Sequence, residues 1–183
     1  MGGRPVGVGG AVRAAGTVSR ADAGRLARAQ GVAWERQVTA DLEAARLRGH
    51  MTAWWRLTEE TARTRGGVVA VDGGGGLPDY LALGPVWTWA LEIKHTVSPR
   101  WSLDSVGPSQ ALHLTEWMSP PHRRSGVVLA IHPPIAGRMA ILLDWADLGP
   151  VWALWRNGGG TASLTVADAL DMGRVWRAED LAL

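Results

Sequence analysis

The chain of 183 residues contains no cysteine, no phenylalanine, one tyrosine and one lysine. Without cysteine there is no disulfide, no thiol nucleophile and no thiolate zinc site. The absence fits a reducing cytoplasm. No run of ~18 apolar residues occurs, so no transmembrane helix is expected. The N-terminal residues carry arginines but no apolar segment, and do not read as a secretory signal. The five histidines, at 50, 95, 113, 122 and 132, show no ligand spacing of the H-x-x-x-H kind, so a histidine zinc site is not expected. No G-x-S-x-G elbow is present. The four glycines at 73–76 lead into Leu77-Pro78-Asp79 rather than the G-K-[ST] of a phosphate loop, which rejects that type of nucleotide site. No internal repeat is visible.

What remains is the composition of a globular domain, with 46% apolar and 20% charged residues and enough chain for one ordinary core. The organisation expected is a flexible basic arm over residues 1–18 and a folded domain over 19–183. Net charge is only +2, but it is unevenly spread. Residues 1–40 hold six arginines (Arg4, Arg13, Arg20, Arg25, Arg28, Arg36) against Asp22 and Glu35. Such an excess suits a polyanionic partner, and a solvated leader explains it equally well. With 11 tryptophans and no phenylalanine, tryptophan does most of the aromatic packing. Of the 19 basic residues, all but Lys94 are arginine, as a GC-rich coding bias produces. Against that bias Lys94 is either a chance survivor or a place where a compact, deprotonatable ammonium is required.

Leu26, Ala29, Ala33, Val38, Leu42 and Ala45 recur at helical steps. They predict a helix from about Ser19, an N-cap with Asp22 three residues on, to Gly49, with Gly31 a candidate break. Residues 52–57 read as a strand and 66–71 as a second short one. Residues 79–83 and 86–94 form a predicted hairpin around Gly84-Pro85. A loop over 99–108 precedes a helix over 108–118, which ends before Pro120-Pro121. Residues 126–132 and 138–143 read as buried strands. A turn of Asn157 and three glycines precedes a last strand or short helix. Helix, strands, helix, strands: this order predicts an α/β domain with a mixed central β-sheet flanked by helices.

The chemistry concentrates in Pro78-Asp79-Tyr80 and Leu91-Glu92-Ile93-Lys94. Strand alternation puts Val86, Thr88, Ala90, Glu92 and Lys94 on one face, and the large apolar Trp87, Trp89, Leu91 and Ile93 on the other, which faces the core. Asp79 opens the preceding strand and lies beside Glu92. Two neighbouring carboxylates repel unless a proton or cation sits between them. An oxygen-seeking divalent ion, Mg²⁺ or Mn²⁺, answers that need. Lys94 is placed to orient a water or to stabilise a phosphorane-like transition state. Two carboxylates, a lysine and a metal make a phosphodiester-hydrolysis site. Read more plainly, E-x-K is an ordinary surface ion pair. Its position thirteen residues after Pro-Asp, and its use of the only lysine, favour the site.

This pattern resembles the PD-(D/E)XK nuclease superfamily, and within it the RecU-type and archaeal-like Holliday-junction resolvases. Gly31-Val32-Ala33-Trp34-Glu35 is similar to the G-x-x-[FW]-E of their first helix. Leu91-Glu92-Ile93-Lys94-His95-Thr96 resembles their F-E-A-K-x-T strand. Trp101-Ser102-Leu103 with Gln110 resembles F-P-L … H-Q, with Ser109 in place of the frequent histidine. Residues 126–131 resemble the following G-G-x-x-F-x-I strand, and Ala162-Ser163-Leu164-Thr165 a terminal S-I-T segment. The likeness runs from about Gly31 to Leu170. The chain departs from the pattern in its four-glycine run and its almost lysine-free surface.

The resemblance implies a restriction-endonuclease-like nuclease core. Asp79 and Glu92 would be the main metal ligands, helped by the Ile93 carbonyl. Lys94 would be the catalytic lysine, Glu35 would complete the site through a water or a second ion, and Gln110 would position Lys94 or a phosphate. Residues 58–76 lie where these enzymes insert a protruding stalk into the junction, so Arg63 and Arg65 would be its phosphate contacts. Arg25, Arg28, Arg56 and Arg100 complete the candidate DNA-binding arginines, and Trp54-Trp55 is a candidate base-stacking pair, of which alternation buries one. The expected activity is a Mg²⁺- or Mn²⁺-dependent, homodimeric Holliday-junction resolvase in the cytoplasm of a bacterial cell or phage-infected host. Two alternatives stand beside it: an endonuclease on duplex or flap DNA in repair or restriction, and an inactive DNA-binding module of the same fold.

Overall fold

The structure is a computed structural model and describes residues 20–57, 77–131 and 139–182. The expected arm, the strand expected at 66–71, and Arg63 and Arg65 lie outside the described residues. Helix α1 (Arg20–Leu47) leads into a β-meander of β1 (Ala53–Arg56), β2 (Tyr80–Leu83) and β3 (Thr88–Thr96). Strand β4 (Arg100–Ser102), a 3-10 turn (Leu103–Ser105) and α2 (Pro108–Trp117) then cross over to β5 (Arg123–Ile131). Strand β6 (Met139–Asp144), α3 (Trp145–Arg156), β7 (Ser163–Thr165), α4 (Val166–Met172), β8 (Arg174–Val175) and a final 3-10 turn (Ala178–Ala182) complete the order.

Strands β1, β2, β3, β5, β6 and β8 form one six-stranded sheet in that spatial order. Its pairs are antiparallel except β3 with β5, which run parallel from Thr88↔Arg123 to Thr96↔Ile131. A parallel pair requires a crossover, and α2 lies in it. The expected mixed sheet flanked by helices is therefore the observed one. Strands β4 and β7 pair separately, Trp101 opposite Leu164. The loop expected over 99–108 thus contains a strand, because its partner comes from sixty residues on.

Both faces of the sheet are covered. On one, Trp34, Val38, Leu42 and Ala45 of α1 pack on Tyr80, Ala82, Trp89, Leu91, Val128 and Leu142. Their four-, four- and three-residue steps are one stripe of a helix. The stripe is centred further along than the sequence pattern implied, since Ala29 is exposed. On the other face, Ala111 and Leu114 of α2 and Trp145 and Leu148 of α3 pack on Val127, Leu129, Ile131, Ile141 and Leu143.

Helix α1 runs unbroken through Gly31. The reason for a glycine there is close approach: a Cβ at this position would stand 3.3 Å from the His95 ring of β3. Tryptophan as the main aromatic brings an indole N–H that usually finds a partner when buried, although those of Trp89 and Trp101 have none among the described residues. Trp54 donates to Glu43, Trp145 to Thr115, Trp152 to the Val106 carbonyl and Trp176 to Asp41. Among the described residues no helix is long and apolar enough to cross a membrane.

Candidate active site

The site forms where β2 ends short of β3. Their ladder begins at Tyr80↔Leu91 and leaves Ile93 without a β2 residue opposite it. Asp79, the residue before β2, fills the gap with its side chain: Oδ2 accepts from the Ile93 N–H at 2.7 Å. N–H and C=O of an extended residue point to the same side of the strand, so the Ile93 carbonyl faces this gap as well.

Glu92 and Lys94 share the face under α2. Lys94 Nζ lies 2.8 Å from Glu92 Oε1. Gln110, in the first turn of α2, joins them. Its Nε2 donates to Glu92 Oε1, and its Oε1 accepts from Lys94 Nζ at 3.2 Å and from the Gly107 N–H at 3.0 Å. One amide thus holds both charged groups and caps its own helix. The expected alternation holds. The expectation that this face is the less buried one does not hold at Glu92, which is 2% exposed beneath α2.

Burial makes both carboxylates hard to ionise. Glu92 has its pKa pushed up to about 7, first by desolvation and then by the Asp79 charge, against the pull of Lys94 and Gln110. Asp79 is also raised by burial, and by the Glu35 charge, against its bond from Ile93 N–H and the charge of Lys94. Glu92 Oε2 is buried and has no hydrogen-bond partner among the described residues. A buried carboxylate and a half-buried one lie near one ammonium, and one oxygen of the buried group is orphaned. That is a donor set suited to a hard divalent cation.

Glu35 stands apart from this pair. Its carboxylate meets the guanidinium of Arg56, and among the described residues no three carboxylate or imidazole groups converge as a metal-ligand cluster. Its charge still reaches Asp79. Arg56, at the end of β1, is paired in register with Tyr80. Arg25 and Arg28 are exposed on α1. Arg100 is engaged by β7, its Nε donating to Ser163 Oγ at 2.9 Å. Trp54 is turned toward α1, whereas Trp55 is 38% exposed on the opposite face, so alternation divides the pair as expected.

Tyr80 is the site residue that motif reading passed over. Its ring is fully buried and its hydroxyl donates to the Glu35 carbonyl at 3.1 Å, beside Thr39 Oγ1 at 2.8 Å. Burial raises its pKa, which keeps the phenol protonated. The signal was available, because Tyr80 is as solitary as Lys94 in this composition.

No protein-family model matches the chain, and no curated protein matches it. Among solved structures it is similar to Hjc of Archaeoglobus fulgidus, a Holliday junction resolvase from an archaeal hyperthermophile. Identity is 13%, the match covers 81% of this chain and 99% of that one, and the TM-score is 0.48.

Proposed function

We propose that the chain is a divalent-metal-dependent endodeoxyribonuclease that resolves four-way DNA junctions. The observation that carries the nuclease reading is half-buried Asp79 beside buried Glu92, with Lys94 2.8 Å from Glu92 and Glu92 Oε2 unpartnered among the described residues. Asp79, Glu92 and the Ile93 carbonyl would hold Mg²⁺ or Mn²⁺, with Glu35 reached through a water or a second ion. When bound, such a metal polarises a phosphoryl oxygen and lowers the pKa of its water.

The protein's own groups account for the rest. Gln110 holds Glu92 and Lys94 in fixed register, so neither must be ordered when DNA arrives. Lys94 Nζ, with two of its three donors on Glu92 and Gln110, keeps one for a water or for a phosphate oxygen that gains charge. Arg56, with its side chain 52% exposed at the rim, contacts the DNA backbone. The junction reading is supported by the RecU-type succession of segments between Gly31 and Leu170. A two-fold homodimer would present two such sites to a two-fold junction, so paired nicks follow from symmetry. A cytoplasmic place of action fits a DNA substrate and a cysteine-free chain.

The test is incubation with labelled four-way junction, duplex and flap DNA, each with Mg²⁺ and with EDTA. Paired symmetric nicks in the junction alone, abolished by EDTA, are expected. Equal cutting of duplex or flap transfers the activity to a general repair or restriction endonuclease. Binding without cutting of any substrate leaves only a DNA-binding module.

A further inference from the structure

We propose that Tyr80 is a positioning residue that sets the place of Glu35 relative to Asp79 and thereby tunes metal binding at this site. The inference rests on the metal-site reading above and extends it to a residue with no ligand atom of its own there.

Three contacts carry it. Thr39 Oγ1 donates to the Glu35 carbonyl at 2.8 Å. The Tyr80 hydroxyl lies 2.8 Å from Thr39 Oγ1 and 3.1 Å from the same carbonyl. Each hydroxyl has one proton. With Thr39 donating to Glu35, the phenol proton is shared between the carbonyl and Thr39 Oγ1. The Glu35 carbonyl thus receives two side-chain hydroxyls, which ties this turn of α1 to β2 at one point.

The neighbouring residue makes the tie relevant. Asp79 and Tyr80 are consecutive: one fastens to Ile93 of β3, the other to Glu35 of α1. This dipeptide therefore connects two of the three candidate acids directly and reaches the strand of the third. The composition points the same way. Bulk alone is supplied elsewhere by tryptophan, whereas the one tyrosine stands where a hydroxyl is used. Its hydroxyl sits in a fully buried residue, where an unsatisfied polar group is costly, so the geometry is held firmly.

Mn²⁺ affinity, followed by electron paramagnetic resonance of the free ion without DNA, tests the proposal on the full chain. The proteins are wild type, Tyr80→Phe, Glu35→Gln and the double variant, with thermal midpoints recorded alongside. Tyr80→Phe should weaken Mn²⁺ binding roughly fivefold, the size of one net hydrogen bond. In the Glu35→Gln background the same change should have no further effect, because the hydroxyl acts through Glu35. An undiminished affinity in Tyr80→Phe, or the same fivefold loss with Glu35 already removed, would overturn the positioning role. If Tyr80→Phe does not fold, Thr39→Val removes the companion hydroxyl and carries the same comparison. A wild-type protein that binds no Mn²⁺ refutes the metal-site reading itself, a result distinct from the other two.

Discussion

Lys94 Nζ stands 2.8 Å from Glu92 Oε1, and the two side chains are held there by a single amide, that of Gln110 on the facing helix. The pair is one strand repeat apart, so the backbone of β3 delivers both groups to the same face. Their separation leaves the ammonium in contact with the carboxylate and with room for one further acceptor.

That room is specific to a compact ammonium. Lys94→Arg keeps the charge but brings a larger, planar group that cannot occupy the space between Glu92 and Gln110. Cleavage by the arginine variant should fall at least ~100-fold, the scale of losing one positioned electrostatic donor. Single-turnover cleavage of junction DNA at saturating Mg²⁺ measures it. Near-full activity would make the lone lysine a compositional accident.

Asp79→Asn and Glu92→Gln remove ligand charge while leaving the arginines untouched. Each should abolish cleavage and retain junction affinity within a few fold, because phosphate contacts dominate DNA binding. Parallel gel-shift and nicking assays separate the two. Near wild-type cutting by either variant shows that the carboxylate pair is not the reaction centre.

The Glu92 pKa of about 7 has a consequence for the metal-free protein. The folded state holds this proton where the unfolded state has lost it, between about pH 4.5 and about pH 7. Stability from this group is therefore fully present below the lower value and is lost as pH rises through the upper one, a change on the order of 3 kcal/mol. Urea unfolding in EDTA at pH 5 and pH 8 should show it, and Glu92→Gln should flatten the difference. An equal pH slope in the variant would assign the effect to other groups. Mg²⁺ should restore stability at the higher pH, since it compensates the charge.

Selection of junctions over duplex needs contact with something a duplex lacks, because every duplex offers phosphates. The resolvase resemblance gives that task to residues 58–76, with Arg63, Arg65 and the glycine run. Replacing 61–74 by a short Gly-Ser turn should leave duplex affinity within a few fold and cost junction affinity at least ~1.4 kcal/mol, a tenfold effect. Competition against unlabelled duplex reads it directly. A folded, loop-deleted protein that still prefers junctions moves the selectivity to another surface.

Local periodicity made part of this molecule readable from its residues. The two-residue repeat of β3 put Glu92 and Lys94 on one face and Leu91 and Ile93 on the other, because side-chain direction in a strand needs no partner to define it. The hairpin brought Asp79 beside them for the same reason: its turn is short and its register local. The helix over 108–117 was visible because Pro108 opens it and the prolines at 120–121 follow its end.

Other features depended on chain segments far apart in sequence. Helix α3 was not foreseen. Gly149 and Pro150 lie inside it, and the Asp144 cap on Ala146 and burial of Trp145 and Leu148 against the sheet outweigh the backbone bond that the proline forfeits. Strands β4 and β7 are three residues each and exist only as each other's partner. Gly31 does not break α1, because its missing side chain is used by His95 from another element. The burial of Glu92, and with it the raised pKa, depends on its place within the folded sheet, with Gln110 of α2 reaching over it from a helix packed on β5. The tie between Tyr80 and Glu35 spans 45 residues. Periodicity along a chain states which way a side chain points; what it meets there is set by elements that only folding brings alongside.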